Sequence, residues 1–256
     1  MDTRVKIDYL DLFQDMLSNY RPSVGPFDPA GPWSHQYKLY TVVNGDIPVP
    51  PVRGTLRIER VPQAAGGVIL SINYEKTSRY AGVHTFKATV VCAGDSLSTP
   101  LKWNSTYTAA PPAHSLNMSL EEQGSGIVRD GALFIKQGGV QKKLPLPAAY
   151  TSNWALFDVV QRLPRPGIAS HFTLLDDDAL KPNQVLSFRQ SVDLKDRWPG
   201  APNLRVHGFL QIGDGTTPQV YWVDDRGELQ FLASGLNVFI LDTTAPAGPQ
   251  ARDGRS

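Results

Sequence analysis

The chain has 256 residues, 19% of them charged, and a net charge of +1, so there is no basic excess to neutralise phosphates and a nucleic-acid partner is not expected. No stretch approaches the roughly 18 apolar residues of a spanning helix, so the chain is not expected to span a membrane. A single cysteine, Cys92, rules out an internal disulfide and a multi-cysteine zinc site.

Met1-Asp2-Thr3-Arg4 leads straight into an amphipathic segment, so a signal peptide is not expected in this stretch. Leu10, Phe13, Leu17 and Tyr20 then recur at helical spacing, which predicts a helix over 7–20 ended by Pro22 and Gly25. Tyr37 to Val43 reads as a strand running into the turn signal Asn44-Gly45. Leu56 and Ile58, then Val68 to Tyr74, then His84 to Cys92, alternate apolar with polar residues and predict strands with one buried face. Residues 95–114, carrying Pro100, Pro111 and Pro112, read as irregular. Leu116, Met118 and Leu120 mark a further strand. Short strands near 126–129, 132–136 and 140–144 are separated by Asp130-Gly131 and Gly138-Gly139 turns.

A second helix is predicted over 151–163, with Thr151 or Ser152 as N-cap and Pro164 as stop. A meander follows, with strands near 170–175, 184–194, 203–212, 218–224, 229–233 and 236–241. The tail from Thr243 is small, polar and rich in Pro and Gly, which predicts disorder over 243–256 beyond a single domain of 1–242.

These elements predict a mainly β protein: a large curved antiparallel sheet or half-barrel with two short helices packed on it. A two-sheet β-sandwich is the alternative. The closing meander, with Gly208-Phe209-Leu210-Gln211-Ile212-Gly213 and Pro218-Gln219-Val220-Tyr221-Trp222-Val223-Asp224-Asp225, resembles in architecture the half-barrel of bacterial periplasmic lipoprotein carriers and related uncharacterised envelope proteins. The resemblance implies a curved sheet crossed by helices and carries over no functional residue.

Chemical motifs are sparse. The five histidines lack a second ligand at metal spacing, and Asp176-Asp177-Asp178 lacks the alternating acids and glycine of a calcium loop, so it reads as a solvated turn and no metal is expected. Gly124-Ser125-Gly126 lacks the context of a nucleophile elbow. Gly213-Asp214-Gly215 joins two strands and offers phosphate no helix terminus, so no cofactor is expected. Cys92 reads as a buried core thiol. Trp154 and Trp222 read as core, and Trp33, Trp103 and Trp198 as anchors of Pro-rich loops.

Alternation places Leu186, Phe188, Val192 and Leu194 on one face of a strand and Arg189, Ser191 and Asp193 on the other. If the next strand is its neighbour, Arg189, Arg205 and His207 share a surface with Tyr221 nearby. Such a group could bind an acidic sugar, with His207 or Tyr221 as base for β-elimination. The bland reading is a solvated sheet face with cross-strand charge pairs.

Three functions follow as expectations. The first is a non-catalytic extracytoplasmic protein, periplasmic or secreted on its sparse charge and abundant small polar residues, that binds an apolar or amphiphilic (lipid-like) ligand or a protein partner on the curved sheet. The second is a carbohydrate-active enzyme, such as a lyase on acidic polysaccharide, binding saccharide at Arg189, Arg205, His207 and Tyr221. The third is a structural or assembly component.

Overall fold

The computed structural model describes residues 10, 13, 16–17, 20–41, 52–78, 82–111, 119–164, 167, 169–197 and 202–245. Fifteen strands form one sheet. The first eight are β1 (Trp33–Thr41), β2 (Gly54–Pro62), β3 (Val68–Ser78), β4 (Gly82–Cys92), β5 (Pro100–Ala110), β6 (Leu120–Arg129), β7 (Ala132–Gln137) and β8 (Val140–Pro145). After β9 (Tyr150–Ser152) and helix α1 (Leu156–Arg162) come β10 (Ser170–Asp176), β11 (Ala179–Asp193), the short helix α2 (Leu194–Arg197), β12 (Arg205–Ile212), β13 (Gln219–Asp224), β14 (Leu229–Ser234) and β15 (Asn237–Leu241).

The sheet order is β8 down to β1, then β15 down to β9. Each block is thus a meander of sequence neighbours, and β1 joins the blocks by pairing antiparallel with β15. Among the described residues only β9 with β10 pairs in parallel. Tight turns keep the meander short: Asp130 and Gly131 both take positive φ between β6 and β7, the backbone that two-residue hairpins need and that Asp-Gly adopts at low cost. The predicted Asn44-Gly45 turn lies outside the described residues, as does the predicted strand at Leu116 and Met118.

The sheet curls until its two edges approach. Leu133 and Ile135 of β7 share a buried cluster with Tyr150 of β9 and Leu175 of β10. Lys142 of β8 pairs with Asp178 in the turn after β10. The seam therefore closes through side chains rather than a backbone ladder.

Helix α1 sits within the curl. Leu156, Phe157, Val159 and Val160 are all buried, and Phe157 meets Tyr37, Tyr221 and Phe239 edge-on. Adjacent valines give it modest intrinsic propensity, so packing on both blocks is what fixes it. Its start differs from the sequence expectation. Thr151 and Ser152 end β9, and Ala155 is the N-cap; Ser152 still accepts a hydrogen bond from the Ala155 N–H at 3.2 Å. Leu163, extended ahead of Pro164, ends the helix.

The N-terminal segment covers the convex side. Leu10, Phe13, Leu17 and Tyr20 are buried against Val206, Val220, Trp222, Phe231 and Ile240. The predicted helix over 7–20 is corrected at its described positions: Leu10, Phe13 and Met16 lie in 3₁₀ turns. The apolar spacing is nonetheless what buries this segment. At the other end, Thr243 donates to the Arg21 carbonyl at 2.7 Å, and the rest of the predicted tail from residue 246 lies outside the described residues.

Two further expectations are corrected. Pro100–Ala110, read as irregular, is an eleven-residue strand. Trp33 and Trp103, read as loop anchors, stand in β1 and β5; Trp198 lies outside the described residues.

Candidate functional site

A cavity of about 730 Å³, partly open to solvent, lies on the concave side beside the start of α1. Its walls follow from strand alternation. Tyr74 of β3, Phe86 and Ala88 of β4, and Trp103, Ser105 and Tyr107 of β5 all line it, each two residues from the next on its strand. Register pairs Tyr74 with Phe86 and Phe86 with Tyr107, so an aromatic row crosses three strands. Trp154, just ahead of α1, stacks on Phe86 with ring centres 5.2 Å apart and planes at 16°.

Trp103 needs a neighbour without a side chain. A Cβ on Gly126 of β6 would come 2.0 Å from its indole, so glycine there lets the ring lie against the sheet instead of standing across the space. Burial and the neighbouring Tyr107 push the Tyr74 hydroxyl up to about 12, so it presents a neutral phenol at physiological pH.

Polar groups gather where the seam meets the cavity. Glu122 of β6 lines it from one side, and Asn153, Asp176 and Asp177 from the other. Asn153 Nδ2 donates to Asp176, which also pairs with Lys181. Asn153 Oδ1 is buried and has no hydrogen-bond partner among the described residues. Partial burial, then the charges of Asp176 and Asp178, raise the Asp177 carboxyl above its ordinary value; Glu122 across the seam adds to this and Lys181 opposes it. On the far wall Asn237 accepts a hydrogen bond from Lys76 at 3.0 Å. An aromatic floor with a few convergent polar groups is the usual composition of a small-molecule site, and the volume falls in the usual range of roughly 300–1,000 Å³.

The residues singled out from sequence lie elsewhere. His207 is buried in β12; its Nδ1 accepts from Ser191 at 2.7 Å and its Nε2 faces Asp225 at 2.7 Å. Tyr221 is fully buried against Phe157, and its hydroxyl donates to Gln219 at 2.7 Å. Arg205 and Arg189 are exposed. Among the described residues no hydrogen bond or ion pair joins these four to one another, and none lines the cavity.

Ser191, His207 and Asp225 form a hydrogen-bonded relay with the connectivity of a nucleophile, base and orienting acid. The ring nitrogens are exchanged relative to the familiar triad, in which the acid holds Nδ1. Asp225 is largely exposed, unlike the buried acid of that triad.

A register shift between Phe188 and Gln190 separates the two ends of β11. Leu186 and Phe188 pack in the concave core, whereas Val192 and Leu194 pack on the convex side. The single apolar face expected over these four residues is thereby divided. Cys92 is buried, and burial, then Asp158 and Asp95, push its thiol up to about 12 against Arg162 and Arg60. Trp222 is core on the convex side, whereas Trp154, expected in the core, is half-buried at the cavity wall.

The likenesses to known proteins are in shape. No protein-family model matches the chain, and no curated protein matches it. Among solved structures, it is similar to a β-barrel-like protein of domain of unknown function DUF1849 from Brucella abortus, with a TM-score of 0.54 and 11% identity over 83% of this chain and 96% of that one. At that identity the likeness shows the fold alone: a β-barrel-like curved sheet.

Proposed function

We propose that this protein is a non-catalytic binding protein that holds an amphiphilic small molecule in the concavity of its curled sheet. The observation that carries this reading is the 730 Å³ cavity with Phe86, Trp103 and Trp154 on its walls and polar groups at one end. A space of this size stays open because its lining strands alternate aromatic residues with small ones, Ala88 and Ser105 among them, so the walls stop short of filling the centre. The extracytoplasmic setting belongs to the same proposal and rests on composition.

The lyase reading needs Arg189, Arg205, His207 and Tyr221 in one open polar cleft. Tyr221 is in the core and hydrogen-bonded to Gln219, where burial holds its hydroxyl protonated, so it lacks the exposure a base requires.

The test uses N-phenyl-1-naphthylamine, an apolar probe that fluoresces in dry surroundings. The intact protein is expected to bind it at micromolar concentration. An Ala88→Phe variant, which fills the cavity from β4, is expected to weaken binding at least about tenfold while keeping the strand spectrum of the wild type. Equal binding by the two proteins overturns the reading.

A further inference from the structure

We propose that the cavity selects amphiphiles with a cationic amine head over those with an anionic or neutral one. This rests on the reading above and adds the charge of the ligand to it.

The acceptors at the polar end outnumber the donors. Asp176 is engaged by Lys181 and Asn153, and Asp178 by Lys142. Glu122 and Asp177 also face this end, from opposite sides of the seam, and neither is in an ion pair among the described residues. Asn153 supplies the independent observation. One of its two amide N–H groups donates to Asp176, and its carbonyl oxygen is buried and without a partner among the described residues. A buried acceptor of that kind is costly to leave unmade. An ammonium group, with donors only, satisfies Asn153 Oδ1 and neutralises the two carboxylates together. A carboxylate or phosphate head brings more acceptors and like charge.

The cations nearby do not reverse this. Lys136 belongs to the wall, but it follows inward-facing Ile135 in β7, and alternation sends its side chain to the other face. There it borders a separate shallow groove with Lys102 and Arg129. Lys76 is tied to Asn237 on the far wall. The aromatic lining agrees with the charge: indole and phenyl faces attract cations, and Trp154 and Phe86 stand within the same cavity.

The experiment is displacement of N-phenyl-1-naphthylamine from the full chain by three ligands of one chain length at pH 7: decylammonium, decanol and decanoate. Decylammonium is expected to bind about tenfold more tightly than decanoate, with decanol between them. In a Glu122→Gln/Asp177→Asn double variant this spread is expected to shrink to within about threefold, with decanol unchanged. Asn accepts the positive φ of position 177, so the variant keeps its turn, and unchanged decanol binding reports that the cavity is intact. Equal affinities, tighter decanoate, or a spread the double variant leaves untouched overturns the charge preference alone. Failure of all three ligands to displace the probe overturns the binding site as well.

Discussion

Asp158 has no exposed surface, and its carboxylate lies between two guanidinium groups. Arg60 of β2 reaches Oδ1 through Nε at 2.6 Å, and Arg162 reaches Oδ2 through Nη2 at 2.8 Å. Ser98 donates to Oδ2 as well, so one residue ties α1 to a loop and a strand. Arg60 also reaches the carbonyl of Gly31 at 2.7 Å. Removing the charge strands two partly buried cations, which costs more than an intact pair contributes. Asp158→Asn is expected to lower unfolding free energy by about 3 kcal/mol, read as a lower urea midpoint at unchanged slope. A loss below about 0.5 kcal/mol would contradict this role. The sequence shows Asp158 only as half of an i,i+4 helical pair with Arg162; Arg60 is 98 residues away, and only the fold brings it in. Gly126 was silent: its reason is an indole on a neighbouring strand.

At the scale of elements, the N-terminal segment is held by the turn between β13 and β14. Tyr20 donates to Gln230 and Ser23 to Glu228. Arg226 reaches Ser23 at 2.7 Å and the Gly25 carbonyl at 2.7 Å. Burial alone would raise the Glu228 carboxyl, but hydrogen bonds from His35 and Ser23 and the charges of His35 and Arg226 outweigh it, so the value is lowered. A folded-state value below the unfolded one means that the folded protein binds fewer protons. The resulting stability is complete above the unfolded value of about 4.3 and is lost as pH falls through the lowered one. Glu228→Gln is therefore expected to melt below the wild type at pH 7, with the gap closing as pH falls below about 4. A gap of constant size would contradict it.

Strands with one filled core face were legible as alternation: β3, β4 and the closing meander emerge close to the spans expected. β5 was not, and the reason lies in its inward row. Its inward row is Trp103, Ser105 and Tyr107, residues that border a space instead of filling a core, and Pro100 opens it as first residue, a position proline tolerates in a strand. The early part of β6 escaped for the same reason, since its inward positions are Glu122, Gly124 and Gly126. The strand that sequence alternation missed is thus a wall of the candidate site. The Arg/His surface that alternation indicated is divided from Tyr221 by burial, and the faces of β11 are exchanged by its register shift.

For the molecule as a whole, the order of the strands decides where a ligand can sit. Two meanders joined at β1 and β15 place β8 and β9 at the edges of the described sheet, and the curl brings those edges together across a buried cluster. Helix α1 fills part of the enclosed space, and the cavity is what remains. Four described tryptophans report on different parts of this arrangement. Trp103 and Trp154 line the cavity, Trp33 lies in the core beside His35, and Trp222 faces the convex side under the N-terminal segment. The most direct measurement is a nitrogen–proton spectrum of the indole groups during titration with N-phenyl-1-naphthylamine. Binding in the concavity predicts that the Trp103 and Trp154 signals move together and saturate while those of Trp33 and Trp222 stay in place. Movement of Trp222 alone, or saturation with no change at Trp103 and Trp154, would contradict it.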